Sequence, residues 1–143
     1  MKAISACLCG VCCSYNGKSH EKHKFKEMVE NNEAIMICPE VLGGLNVPRT
    51  PAERINNRIL TELGEDVTDA YLKGAQKAVE LCKKYQVTEV ILKAKSPSCG
   101  VNKIYDGTFS HKVIEGHGVT AELLLKEGFT VISDEDYLQE DIV

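Results

Sequence analysis

Three short apolar runs in this chain end in cysteine, and that repeated punctuation narrows the folds open to it. Lys2-Ala3-Ile4-Ser5-Ala6 runs straight into Cys7, and Ala34-Ile35-Met36-Ile37 runs into Cys38-Pro39-Glu40. Glu89-Val90-Ile91-Leu92-Lys93-Ala94 leads into the loop Lys95-Ser96-Pro97-Ser98-Cys99-Gly100. Runs this short and apolar read as buried strands. Ser96-Pro97 stops the third, because proline has no N–H for a ladder and restricts the residue before it. Gly100 then permits a tight turn or a close backbone approach. Thiols at the C-terminal ends of parallel strands stand where open α/β sheets bind their ligands.

Helical signals lie between these runs. Phe25, Met28 and Val29 recur at helical spacing within residues 23–31. Over residues 68–85, Ala70, Tyr71, Leu72, Ala75, Ala78, Val79, Cys82 and Tyr85 make one broad apolar face, with Thr68 as N-cap. Cys82 lies on that face and reads as core. Thr120 caps a helix over 120–127 with Leu123 and Leu124 inward and Gly128 as its stop. Phe129-Thr130-Val131-Ile132 reads as the last strand, and Asp134 caps a final turn through Leu138. Residues 41–45 read as a glycine-hinged loop, and 58–61 followed by 64–66 as a small hairpin. Residues 105–109 have turn chemistry and 112–118 show no clear element. Strands alternate with helices and no repeat or linker divides them. The expectation is a single α/β domain over residues 1–143, its sheet mostly parallel and flanked by helices.

Length and charge bound the function. A chain of 143 residues buries roughly 70% of its unfolded surface. A net charge of −4 and a pI near 5.6 argue against a general nucleic-acid binder, while a local basic pocket for one phosphate stays open. No run approaches the roughly 20 apolar residues of a membrane span. Ile4-Ser5-Ala6-Cys7 resembles the small-residue box before a lipidated cysteine, but too few residues precede Cys7 for an apolar leader core. An unprocessed, cytoplasmic protein with no membrane partner is expected. Seven cysteines are an odd number for a disulfide framework. In a reducing compartment they point to metal or catalysis.

If the three strands are parallel neighbours, Cys7, Cys38 and Cys99 emerge at one sheet edge. Three converging thiolates repel one another unless a cation holds them, so a soft metal is the natural resident. An iron–sulfur cluster suits them better than structural zinc, which takes four ligands and commonly paired C-x-x-C knuckles. Cys9-Gly10-Val11-Cys12 is nevertheless a C-x-x-C and keeps zinc and redox readings open. His20 and His23 are further donors or simply a solvated face. Glu40 is the one carboxylate tied directly to the cysteine set, or else a solvated loop residue. Ser96 and Ser98 offer hydroxyls beside a metal, or else cap their own turn.

Several segments carry a resemblance that no single motif does. Ser5-Ala6-Cys7-Leu8, Tyr15-Asn16-Gly17, Cys38-Pro39-Glu40, Gly43-Gly44-Leu45, Pro48-Arg49, Gly74-Ala75 and Lys95-Ser96-Pro97-Ser98-Cys99-Gly100 follow in order along nearly the whole chain. Together they resemble the DUF523 family, which includes the 2-thiouracil desulfidases. The resemblance implies a Rossmann-like α/β domain with a [4Fe–4S] cluster on Cys7, Cys38 and Cys99 and one iron left open. It implies a non-redox desulfidase, with Glu40 and Ser96 moving protons; Ser98, with its hydroxyl beside the metal, is counted with them as a candidate catalytic residue. The sulfur of a thiolated pyrimidine base, nucleoside or nucleotide would bind the open iron and leave as hydrogen sulfide. Cluster-assembly machinery is the implied protein partner. Ser14 stands where relatives often carry arginine, and Cys9, Cys12 and Cys13 fall outside the family's ligand set. Larger relatives fused to a further domain act on thiolated tRNA, so a small molecule is the implied substrate here. A non-catalytic iron–sulfur or sulfur carrier and a zinc-stabilised binding domain remain the alternatives.

Overall fold

A computed structural model describes residues 1–140 of the chain. The cysteine-punctuated runs are strands of one sheet: β1 (Lys2–Ser5), β2 (Ala34–Ile37) and β5 (Glu89–Leu92), joined by β8 (Thr130–Ser133). Their order is β2-β1-β5-β8, and every pairing is parallel. Successive side chains of a strand point to opposite faces, and the burial follows that alternation. Ala3, Val90 and Leu92 join one core with Ala78, Val79, Cys82, Ala121 and Leu124. Those last five come from α3 (Thr68–Lys84) and α4 (Val119–Lys126). Ile4 and Ile91 face the other way, against Phe25 of α1 (His23–Glu30) and Tyr137 and Leu138 of α5 (Asp134–Glu140). A parallel sheet covered on both faces needs apolar residues on both, which is why its strands read as continuous apolar runs. No helix among the described residues is long and apolar enough to cross a membrane.

Several local expectations change. Residues 58–61 are a strand, β4 (Arg58–Thr61), but its antiparallel partner lies upstream, in β3 (Ala52–Ile55). The turn between them puts Asn56 at φ 53°, a left-handed conformation that asparagine tolerates. The expected forward pairing is present as well, as a Leu60–Asp66 antiparallel bridge flanked by Thr61 N–H to Glu65 O at 2.8 Å and Val67 N–H to Ile59 O at 2.9 Å. The loop expected after Cys38 begins instead as a helical turn, α2 (Pro39–Leu42), with proline at its first position where no N–H is missed. Residues 112–118 contain β7 (Val113–Glu115), paired with β6 (Lys103–Tyr105). Leu72 on α3 and Tyr85 just past its end are exposed, so the apolar face is narrower than the spacing predicts. Thr68 opens α3 rather than capping it, and Asp66 Oδ1 accepts the Thr68 N–H at 3.0 Å. Thr120 likewise lies inside α4, behind Gly118.

Two glycines bring α2 against α3. A Cβ on Gly43 would overlap the Ala70 carbonyl, and one on Gly74 would overlap the Pro39 carbonyl. The two backbones meet without side chains between them, which sets the first turn of α2 beside Tyr71 on α3.

Candidate active site

The sheet order reverses at β1. The chain passes from β1 to β2 on one side and later returns to add β5 on the other, so the crevice lies beyond the C-terminal ends of β1 and β5. A cavity of about 440 Å³ occupies that edge, a volume of the size that holds small ligands. Cys7, Cys38 and Cys99 all line it, with Glu40 and Ser96. Ser5 and Ile37 are aligned in the last pair of the β1–β2 ladder, so Cys38 is the first residue past the edge and Cys7 the second.

Each thiol is placed by a local device. Cys7 lies in a 3-10 turn, Ala6–Cys9, closed by Gly10 at φ 101°. Cys38 precedes α2, and its sulfur accepts the Val41 N–H. Where β5 stops, side chains take over its hydrogen bonds: Lys93 N–H donates to Ser5 Oγ at 2.9 Å and Ala94 N–H to Asp134 Oδ1 at 2.8 Å. The loop then folds back on itself. Ser96 Oγ accepts the Ser98 and Cys99 N–H groups at 3.1 and 2.7 Å, and Gly100 packs where a Cβ would press on Lys103 O and Ser96 O. Carbonyls of Pro97 and Ser98 receive the first N–H groups of α4. Cys99 is thereby fixed and 4% exposed.

The two serines separate in role. Ser96 lines the cavity, and both N–H contacts use its lone pairs, leaving its own proton to give. Ser98 is fully buried and lies outside the cavity lining; its Oγ is 2.8 Å from Thr120 Oγ1.

Glu40 is not a solvated loop carboxylate. Its Oε2 accepts from Arg49 Nη2 at 2.7 Å and from Tyr71 Oη at 3.2 Å. Side-chain exposure is 9% for Arg49 and 16% for Glu40, so the pair is largely withdrawn from water. Burial, with the Glu40 charge second, pushes the Tyr71 phenol well above its ordinary value, so it stays a donor. Arg49 also donates to the Cys13 and Asn46 carbonyl oxygens, at 3.1 Å each, and among the described residues its buried Nε has no partner.

Cys13 is the thiol whose place the sequence concealed. It lines the cavity, is 6% exposed, and is in hydrogen-bonding contact with both Cys38 and Cys7. Cys9 is buried beside it, Cys12 is exposed, and Cys82 sits in the core behind the sheet. His20 reaches the cavity rim, whereas His23 points outward and pairs with Glu27 at 3.3 Å. Arg49 and Tyr71 carry no motif of their own. A tyrosine on a buried helix face does require a hydroxyl partner, however, and that was the available signal for Tyr71.

The donor set is soft, and two of its thiols, Cys38 and Cys99, hold their protons tightly. Burial first, and the Glu40 charge second, push the Cys99 thiol up to about 12. The Cys13 hydrogen bond and burial raise Cys38 further. Such thiols become thiolates only when a cation compensates them, which suits a thiophilic metal group. Among the described residues no three His, Cys, Asp or Glu side chains gather closely enough to hold one metal ion. Cys7, Cys38 and Cys99 line one cavity, which offers room for a polynuclear group.

Comparison with known proteins is consistent with this geometry. A family model described as 2-thiouracil desulfurase matches residues 3–136. "Uncharacterized protein YbbK" of Bacillus subtilis (strain 168) is 44% identical, over 95% of this chain and 97% of that protein. Among solved structures, the [4Fe-4S]-dependent thiouracil desulfidase TudS superposes with a TM-score of 0.89 at 37% identity. That match covers 99% of this chain and 97% of the other.

Proposed function

Because this chain belongs to the 2-thiouracil desulfurase family, we propose that it is an enzyme that removes sulfur from thiolated pyrimidines, using a [4Fe–4S] cluster held by Cys7, Cys38 and Cys99. The observation that carries this reading is the meeting of those three thiols with Glu40 around one cavity at the switch point of the sheet. When bound, the cluster supplies a thiophilic Lewis acid for the thiocarbonyl sulfur. The reaction is hydrolytic: water adds oxygen to the ring carbon, the carbon–sulfur bond breaks, and hydrogen sulfide leaves with no net redox change.

The chain's own residues divide the proton traffic. Glu40 is the base toward water, through Oε1, because Oε2 is already taken by Arg49 and Tyr71. Ser96 is a donor, since its acceptor positions are occupied by backbone N–H groups. Ser98 holds the loop through Thr120 and keeps Cys99 in place. The base, nucleoside or nucleotide enters past Tyr15, Tyr105, Phe109 and His111, which form the outer wall. Cluster-assembly proteins are the expected partners for loading.

Two other readings fit less well. A carrier that only stores or passes on a cluster has no use for a carboxylate fixed by two donors beside it. A zinc-stabilised binding domain asks for four donors about a point, and the cysteines here line a cavity. The test is to load the protein anaerobically, offer it 2-thiouracil, 4-thiouracil and their nucleosides and nucleotides, and follow thiocarbonyl absorbance and free sulfide. Loss of absorbance matched by sulfide for at least one of these supports the enzyme. A loaded protein that releases no sulfide from any of them overturns it.

A further inference from the structure

We infer that Arg49 is the positioning residue that makes Glu40 a one-sided base, by joining the thiol-bearing loop to the first turn of α2. This rests on the proposed desulfidase reading and assigns a role to a residue outside the cysteine, glutamate and serine set. One nitrogen, Nη2, serves both connections: it donates to Glu40 Oε2 at 2.7 Å and to the Cys13 carbonyl oxygen at 3.1 Å. The Arg49 backbone N–H donates to Tyr15 O at 2.7 Å, and Nη1 donates to Asn46 O at 3.1 Å. The residue is thus tied at three levels, to the loop before α1, to the segment after α2, and to the carboxylate itself.

The need for such a tie follows from local structure. Helix α2 is four residues long and cannot hold a side chain steady by itself. The loop that carries Cys7 and Cys13 has only the 3-10 turn for regular structure. Between them the guanidinium fork fixes one carboxylate oxygen, and Tyr71 adds a second donor to that same atom. Among the described residues Glu40 Oε1 has no hydrogen-bond partner and is not a buried unpartnered atom, so it is the oxygen left accessible on a residue that lines the cavity. Lysine in place of Arg49 keeps the charge but loses the planar fork, so it cannot hold the Cys13 carbonyl and the carboxylate in the same geometry.

The test compares wild type, Arg49→Lys, Arg49→Met and Tyr71→Phe, each loaded anaerobically, by iron per chain, thermal midpoint, kcat per cluster and KM for 2-thiouracil. Positioning predicts iron content and KM near wild type in Arg49→Lys, with kcat per cluster reduced about 10- to 100-fold, the scale of a misplacement near 1 Å. Tyr71→Phe should lose less, because Oε2 keeps its charged donor. Arg49→Met leaves the Glu40 charge without its partner and can fail to fold. The Arg49→Met/Glu40→Gln pair removes both charges, and its kcat per cluster should equal that of Glu40→Gln alone. Normal kcat per cluster in Arg49→Lys overturns the inference, as does a loss that only tracks iron or KM. A loaded wild type that releases no sulfide overturns the desulfidase reading itself, and the inference with it.

Discussion

Gly43 and Gly74 face each other across the contact between α2 and α3, each with the other's amide nitrogen 3.2 Å from where its Cβ would stand. That missing pair of side chains is what lets Tyr71 reach Glu40. Gly74→Ala should therefore cost about 1–3 kcal/mol or somewhat more through overpacking against the Pro39 carbonyl. It should also weaken Tyr71's hold on the carboxylate, lowering turnover per cluster beyond what instability explains. Urea midpoints with turnover on the same samples check both. A neutral Gly74→Ala contradicts the close approach.

The serines of the cysteine loop should behave differently when changed. Ser98→Ala leaves the Thr120 hydroxyl buried without its partner, a cost of about 1–3 kcal/mol. Adding Thr120→Val should recover part of that loss, and turnover per cluster should stay near wild type in both. Ser96→Ala should lower turnover per cluster, because it removes a proton donor from the cavity wall. Denaturation midpoints and kinetics on the three variants separate support from catalysis.

Cys82 gives a pH dependence unconnected with the site. It is fully buried on α3, and burial pushes its thiol from 9.0 up to about 11. The folded chain thus prefers the protonated thiol, and the unfolded chain releases the proton sooner. The stability this gives is complete below about pH 9 and is lost as pH rises through the folded value near 11. Unfolding midpoints for wild type and Cys82→Ala should converge between those two pH values. Parallel curves would mean that Cys82 does not titrate later in the folded state.

The cysteines should fall into three groups. Serine at Cys7, Cys38 or Cys99 should sharply lower iron per chain, and at Cys9, Cys12 or Cys82 should leave it nearly unchanged. Cys13→Ala should also keep the iron. It should, however, move the cluster's reduction potential downward, since the Cys13 thiol donates to Cys7 and a hydrogen bond to a ligand sulfur raises the potential. Iron analysis and redox titration on the anaerobic proteins check this. Loss of iron in Cys13→Ala would make it a ligand.

The parts of the molecule that sequence made legible are those with a local cause. β1 and β5 were visible because both faces of each strand are largely buried, which leaves an apolar run with no alternation, and β2 because it is apolar throughout although Met36 is exposed at the sheet edge. The shared edge of Cys7, Cys38 and Cys99 followed from strand direction. α2 was hidden because one helical turn has too few residues to show a period, and its glycines looked like a hinge rather than a close contact. β7 was hidden because Val113, Ile114 and Glu115 are all exposed. The Arg49–Glu40–Tyr71 contact was hidden for another reason: it joins residues 9 and 31 positions apart, and nothing local requires either pairing.

The most direct test of the account is Glu40→Gln, assayed for iron per chain and for sulfide released per cluster on one anaerobic sample. Removing the carboxylate charge leaves Arg49 without its partner. A drop in stability of about 3–5 kcal/mol is therefore expected, as for a broken buried pair, and turnover must be normalised to surviving cluster. The expected result is a cluster retained on Cys7, Cys38 and Cys99 and a rate per cluster reduced roughly 10²–10⁴-fold, the scale of lost general base catalysis. A wild-type rate per cluster in Glu40→Gln would contradict the account.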